Sequence, residues 1–106
     1  MRINKYEKFL LIQINGLLRQ ILNGEITFDD AEYMLLRPRI MDEFKKYEIR
    51  KEFIELYEKV MLLDALILFN IIKSEASKIV CEISQILKDN IDVEMDCIEI
   101  KLREYV

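Results

Sequence analysis

A mostly α-helical single domain, built as a small bundle of four or five helices, is the fold class this sequence predicts, and three observations carry it. Glycine occurs twice and proline once in 106 residues, too seldom for the many tight turns of an all-β fold. Leu, Ile, Glu and Lys dominate the strongest periodic segments, where apolar residues recur at steps of three and four. Apolar types make up 52% and charged types 34% of the chain, both above the usual share, so the elements are sharply two-sided. A chain of this length needs one core, and residues 1–106 are read as one domain.

The first helix runs from Ile3 to Asn23, because Ile3, Tyr6, Leu10, Ile14, Leu17 and Ile21 line one face. Gly24 ends it, since glycine just past a helix adopts the left-handed conformation that closes the last turn, with Asn23 in support. Gly16, inside the helix, costs about 1 kcal/mol relative to Ala, and either permits a close approach by another helix or is merely tolerated.

Thr27 reads as the N-cap of a second helix starting at Phe28, with Asp29 and Asp30 in the first turn, where carboxylates meet unpaired N–H groups and the positive end of the dipole. That helix reaches only about Leu36, because Pro38 disfavours helical geometry at Arg37; Pro38 then suits the first turn of a third helix ending near Tyr47.

From Arg50 a fourth helix carries the stripe Phe53, Tyr57, Val60, Asp64, Ile67 and Ile71. Leu62, Leu63, Leu66, Leu68 and Phe69 cover its other directions, so this part is either surrounded by neighbours or pairs with a second copy of the chain. Ser74 followed by Glu75 signals a new start, so a break is expected near Lys73, and Ala76, Ile79, Val80, Ile83, Ile86 and Leu87 form the stripe of a fifth helix to about Lys88.

The tail, residues 90–106, is open between strand and helix. Ile91, Val93, Met95 and Cys97 alternate with acids as a strand does, whereas Ile91, Met95, Ile98, Leu102 and Tyr105 follow helical spacing.

Net charge is −4, which argues against a general affinity for nucleic acid. The two halves differ. Residues 1–51 hold ten Lys and Arg against eight Asp and Glu, whereas residues 52–106 hold six against twelve. Met1, Arg2, Lys5 and Lys8 ahead of the apolar Phe9–Leu18 imitate a signal peptide, but Gln13 and Asn15 interrupt the stretch and no small-residue cleavage site follows. The most apolar run, Val60–Ile72, is too short to span a bilayer and contains Asp64 and Asn70, so no membrane segment is expected. Cys81 and Cys97 lie in no C-x-x-C pair and are read as reduced thiols of a cytoplasmic protein.

Histidine is absent, which removes the commonest acid–base group and transition-metal ligand, and no Gly-rich phosphate loop is present, so neither an enzyme nor a cofactor is expected. Asp64 stands on an apolar stripe and is read as a buried polar group, either satisfied by a Tyr, Lys or Arg of another helix, or capping a helix break, or carrying a raised pKa or a partnered role. Asp89, Asp92, Glu94, Asp96 and Glu99 follow one another with no intervening base and form either a solvated face or a negative surface for a basic partner. The start of that run has calcium-loop spacing, but Cys97 stands where the turn glycine belongs and Arg103 where the bidentate Glu belongs, so calcium is rejected. Arg37, Arg39, Lys45, Lys46, Arg50 and Lys51 cluster in a helix-turn-helix-like layout, and Glu32, Asp42, Glu43 and Glu48 nearly cancel them.

Leu17, Ile21, Gly24, Ile26, Asp29, Asp30, Ala31, Glu32, Leu35 and Pro38 resemble the I-x-x-G-x-I-x-x-D-E-A-E-x-x-L-x-x-P string of a family of short bacterial proteins of unknown function, with Asp30 in place of the usual Glu. Against that family, residues after Asp89 look additional. The resemblance implies no activity and carries over no site residue.

The expected function is binding of another protein, as a small acidic inhibitor or immunity-type protein that neutralises a basic toxin or enzyme. The alternative is a homodimeric helical protein with structural or regulatory work, joined through Val60–Ile72 and the tail. A DNA-binding regulator is the third reading.

Overall fold

The computed structural model describes residues 2–35, 40–63 and 69–95, and among them the chain forms five helices and no strand. They are α1 (Lys5–Leu22), α2 (Phe28–Leu35), α3 (Ile40–Lys46), α4 (Lys51–Met61) and α5 (Phe69–Asp89). The mostly α bundle read from composition and periodicity is therefore the observed architecture.

Helix α1 is the centre of the bundle. Leu10, Ile14 and Leu17 of the expected stripe are buried, but so are Leu11 and Leu18, so the helix buries a broader arc than one stripe. Its most extensive packing is against α5 through Ala76, Ile79 and Ile83, with α2 and α4 closing over the remainder. The short helices each contribute an i, i+4 pair to the core, Ala31 with Leu35 and Ile40 with Phe44, while α4 contributes Phe53, Tyr57 and Val60. Each fully buried Leu or Ile is worth about 1.5–3 kcal/mol, which dominates the propensity terms of such short helices.

The ends of the helices follow local chemistry. At α1, Asn4 Oδ1 accepts the N–H of Glu7 while Glu7 Oε1 accepts that of Asn4, both at 2.8 Å, a reciprocal capping box. Thr27 and Asp30 repeat the arrangement at α2, each at 3.1 Å. Gly24, at φ +73°, donates to Ile21 O while Glu25 donates to Gln20 O, the paired bonds of a Schellman motif. Helix α3 ends identically, Glu48 donating to Lys45 O and Ile49 to Phe44 O, except that the left-handed position is held by a glutamate at φ +55°.

Two expectations are corrected and one open alternative is decided. No break occurs near Lys73: α5 runs through Ser74 without interruption, and the chain instead leaves α4 after Met61. The stripe Ile72, Ala76, Ile79, Ile83 stays in phase across Ser74, which is exposed, so a continuous helix buries more than a new cap at Ser74 gains. Because α4 ends at Met61, its stripe does not extend to Ile71, which is 45% exposed on α5. Among the described residues nothing lies within 4 Å of a Cβ built at Gly16, so no close helix approach requires the glycine there and the residue is simply tolerated. Residues 91–95 have left the helix, and the rest of the tail, with its strand-or-helix question, lies outside the described residues.

Candidate interaction surface

One end of the bundle gathers the polar residues that the helix stripes do not use. Glu7, Lys8 and Asn90 are all buried there. With Oε1 holding Asn4, Glu7 Oε2 accepts the backbone N–H of Arg50 at 2.9 Å, and the Arg50 Nε lies 3.5 Å away. Arg50 also donates through its guanidinium to the carbonyl of Arg2. Lys8 Nζ donates to the carbonyls of Asn90 at 3.0 Å, Ile91 at 3.2 Å and Val93 at 2.8 Å. Asn90 Oδ1 accepts from Ile3 N at 3.1 Å, and its Nδ2 donates to Ile86 O at 2.8 Å. A carboxylate thus sits at the starts of α1 and α4, and an ammonium at the end of α5, each at the helix pole that favours its sign. Both charged groups are engaged by backbone, which makes them clamps rather than reactive groups.

The acidic run is brought to this same end. Asp89, Asp92 and Glu94 are exposed around the turn that leaves α5, and Asp96 and Glu99 lie outside the described residues. Asp92 forms a bidentate pair with Arg2 at 2.8 and 3.1 Å, and the Arg2 hydrogen bonds, with Lys8 adding attraction, hold its carboxyl below the ordinary range. Asp89 accepts from Gln85 Nε2 at 3.0 Å. Asp64 lies outside the described residues, as do Arg37, Arg39 and Cys97, while Cys81 is exposed. Of the basic cluster, Lys45 and Lys46 face solvent at the end of α3, and Arg50 belongs to the internal network.

Sequence reasoning missed Glu7, Lys8 and Asn90. The Asn4-x-x-Glu7 spacing of a capping box was the available signal for the first of them. It also missed a groove of about 310 Å³ between α4 and α5. Phe53, Leu56 and Ile86 form its apolar floor, and Glu52, Glu55, Glu82 and Lys59 its charged edges. Among the described residues, no group of three or more Asp, Glu or Cys is placed to hold a metal, and no helix is long and apolar enough to cross a membrane.

The family described as "Protein of unknown function (DUF3969)" matches residues 1–102. The chain belongs to this family. The match reaches residue 102, well past Asp89, so most of the tail lies within the matched region rather than outside it. Searches of curated proteins and of solved structures return no match. Family membership carries no assigned activity, so the reading of this DUF3969 chain rests on its own surface.

Proposed function

We propose that this DUF3969 chain works by binding another protein, as a small acidic inhibitor or immunity-type protein that neutralises a basic toxin or enzyme. The observation that carries this reading is a set of exposed carboxylates on two helices that flank an apolar-floored groove, interspersed with the exposed Lys59, Lys73, Lys78 and Lys88. Glu52, Glu55 and Glu58 on α4 and Glu82 and Asp89 on α5 all face solvent, and the helices that bear them flank a groove with an apolar floor. Such a surface steers a cationic partner and raises its encounter rate by about 10- to 1000-fold, an effect that salt screens. Tagged chain used to capture its partner, followed by mass spectrometry and stopped-flow association with the identified protein, tests the reading. The rate constant falls steeply with ionic strength; a salt-independent rate overturns it.

A second reading has its own observation. Leu62 and Ile71 are 66% and 45% exposed on either side of residues 64–68, which favours a homodimer joined through this apolar region. Light scattering separates the two, since a stable dimer supports the second and a monomer the first.

A further inference from the structure

Each wall of the α4–α5 groove is one helix face. Glu52, Glu55, Leu56 and Lys59 follow at i, i+3, i+4 and i+7 on α4, and Glu82 and Ile86 are one turn apart on α5. The floor is an apolar strip made by Phe53 and the half-buried Leu56 and Ile86. At about 310 Å³ the hollow is at the small end for a small-molecule site, and its volume suits one or two side chains projecting from a larger partner.

The charges on the edges are not balanced internally. Lys59 lies 3.7 Å from Glu75, and Lys51 is 3.8 Å from Glu55. Among the described residues no cation pairs with Glu52 or Glu82, which stand on opposite walls. An occupant that offers apolar side chains to the floor and positive charge to Glu52 and Glu82 therefore complements the groove. A helix with one apolar face flanked by Lys or Arg meets both conditions, and helix-in-groove docking uses this geometry. An acidic or phosphorylated segment is repelled by the same edges.

We infer that the α4–α5 groove is the docking site for a basic amphipathic helix of a partner protein, its apolar anchor on Leu56 and Ile86 and its Lys or Arg side chains beside Glu52 and Glu82. This rests on the protein-binding reading and gives it a location.

The probe is a synthetic Leu/Lys amphipathic helical peptide, measured by fluorescence anisotropy against the full chain, with an Ala/Lys peptide of equal charge as control. The Leu/Lys peptide binds, replacing Leu by Ala weakens it at least tenfold, and Glu52→Lys with Glu82→Lys weakens it at least tenfold. Both substituted residues are exposed, and circular dichroism checks that the variant is folded. Asp89→Asn with Glu94→Gln, away from the groove, changes affinity less than twofold. Equal binding of the two peptides overturns the inference, because charge alone then suffices. Binding that survives Glu52→Lys with Glu82→Lys but is lost in Asp89→Asn with Glu94→Gln also overturns it and moves the surface to the end of α5, leaving the protein-binding reading intact. That wider reading falls only if the captured partner associates at a rate independent of salt.

Discussion

The carboxylate of Glu7, in the first turn of α1, accepts the backbone N–H of Arg50, the residue that opens α4, at 2.9 Å. Its other oxygen closes the capping box on Asn4, so one buried side chain serves the starts of two helices and reaches a residue 43 positions along the chain. Arg50 offers α4 no side-chain cap of its own, and Glu7 stands in from the neighbouring helix. Asn4 reinforces the joint by donating through Nδ2 to the carbonyls of Tyr47 and Glu48. The rings of Tyr6 and Tyr47 stack beside it, with centroids 4.1 Å apart.

Glu7→Ala is expected to be among the most damaging single substitutions. It leaves two backbone N–H groups without their acceptor, each worth about 1–3 kcal/mol, so a loss of about 3 kcal/mol is expected in urea unfolding. Glu7→Gln keeps one acceptor oxygen and loses less. A change under about 0.5 kcal/mol for Glu7→Ala would show that the clamp carries no net weight.

Lys8→Met preserves the aliphatic stem and removes the three donors that hold the carbonyls of Asn90, Ile91 and Val93. The expected loss is about 2 kcal/mol, and amide exchange in residues 91–95 accelerates because the turn after α5 loses its anchor. Unchanged exchange there would mean that water takes over the role of the ammonium.

Backbone handedness separates three positions. Gly24 is left-handed, so Gly24→Ala costs about 1 kcal/mol. Glu48 holds the same conformation with a Cβ, so Glu48→Gly is expected to stabilise, by up to about 1 kcal/mol. Gly16 is helical with open space around it, and Gly16→Ala stabilises by about 0.5–1 kcal/mol. Denaturation midpoints read all three, and a destabilising Gly16→Ala would show that a further surface packs against that point of α1.

Asp92 gives a pH dependence with a definite sign. Its carboxyl is held below its ordinary value of 3.8, first by the hydrogen bonds from Arg2. A group whose pKa is lowered on folding contributes stability that is present above the ordinary value and lost as pH falls through the folded one. Both partners are largely exposed, so the contribution is small and screened by salt. In an NMR titration the Asp92 carboxyl moves upward in Arg2→Gln; an unchanged midpoint would show that the pair does not hold it.

The legibility of this chain divides by the range of the interaction. Thr27 and Gly24 were readable because a cap or a left-handed turn is completed within about five residues, and their hydrogen bonds are as expected. The stripes of α1 and α5 were readable because burial repeats with the helical period. Ser74 misled because a cap signature is local while the phase of Ile72, Ala76, Ile79 and Ile83 runs across it. The acidic run was visible, yet the pairing of Asp92 with Arg2, 90 residues away, was not.

Composition and periodicity alone determined that this protein is a helical bundle with an acidic second half, because those properties sum over neighbouring residues. Only the tertiary structure decided that α1 is the central helix, that Glu7 and Lys8 point inward to serve the ends of other helices, and that Glu52 of α4 and Glu82 of α5 line one groove. A charged residue is written identically whether it meets water or a distant carbonyl. Its role follows from which helix ends the fold brings beside it, and that is set by how the apolar faces pack together.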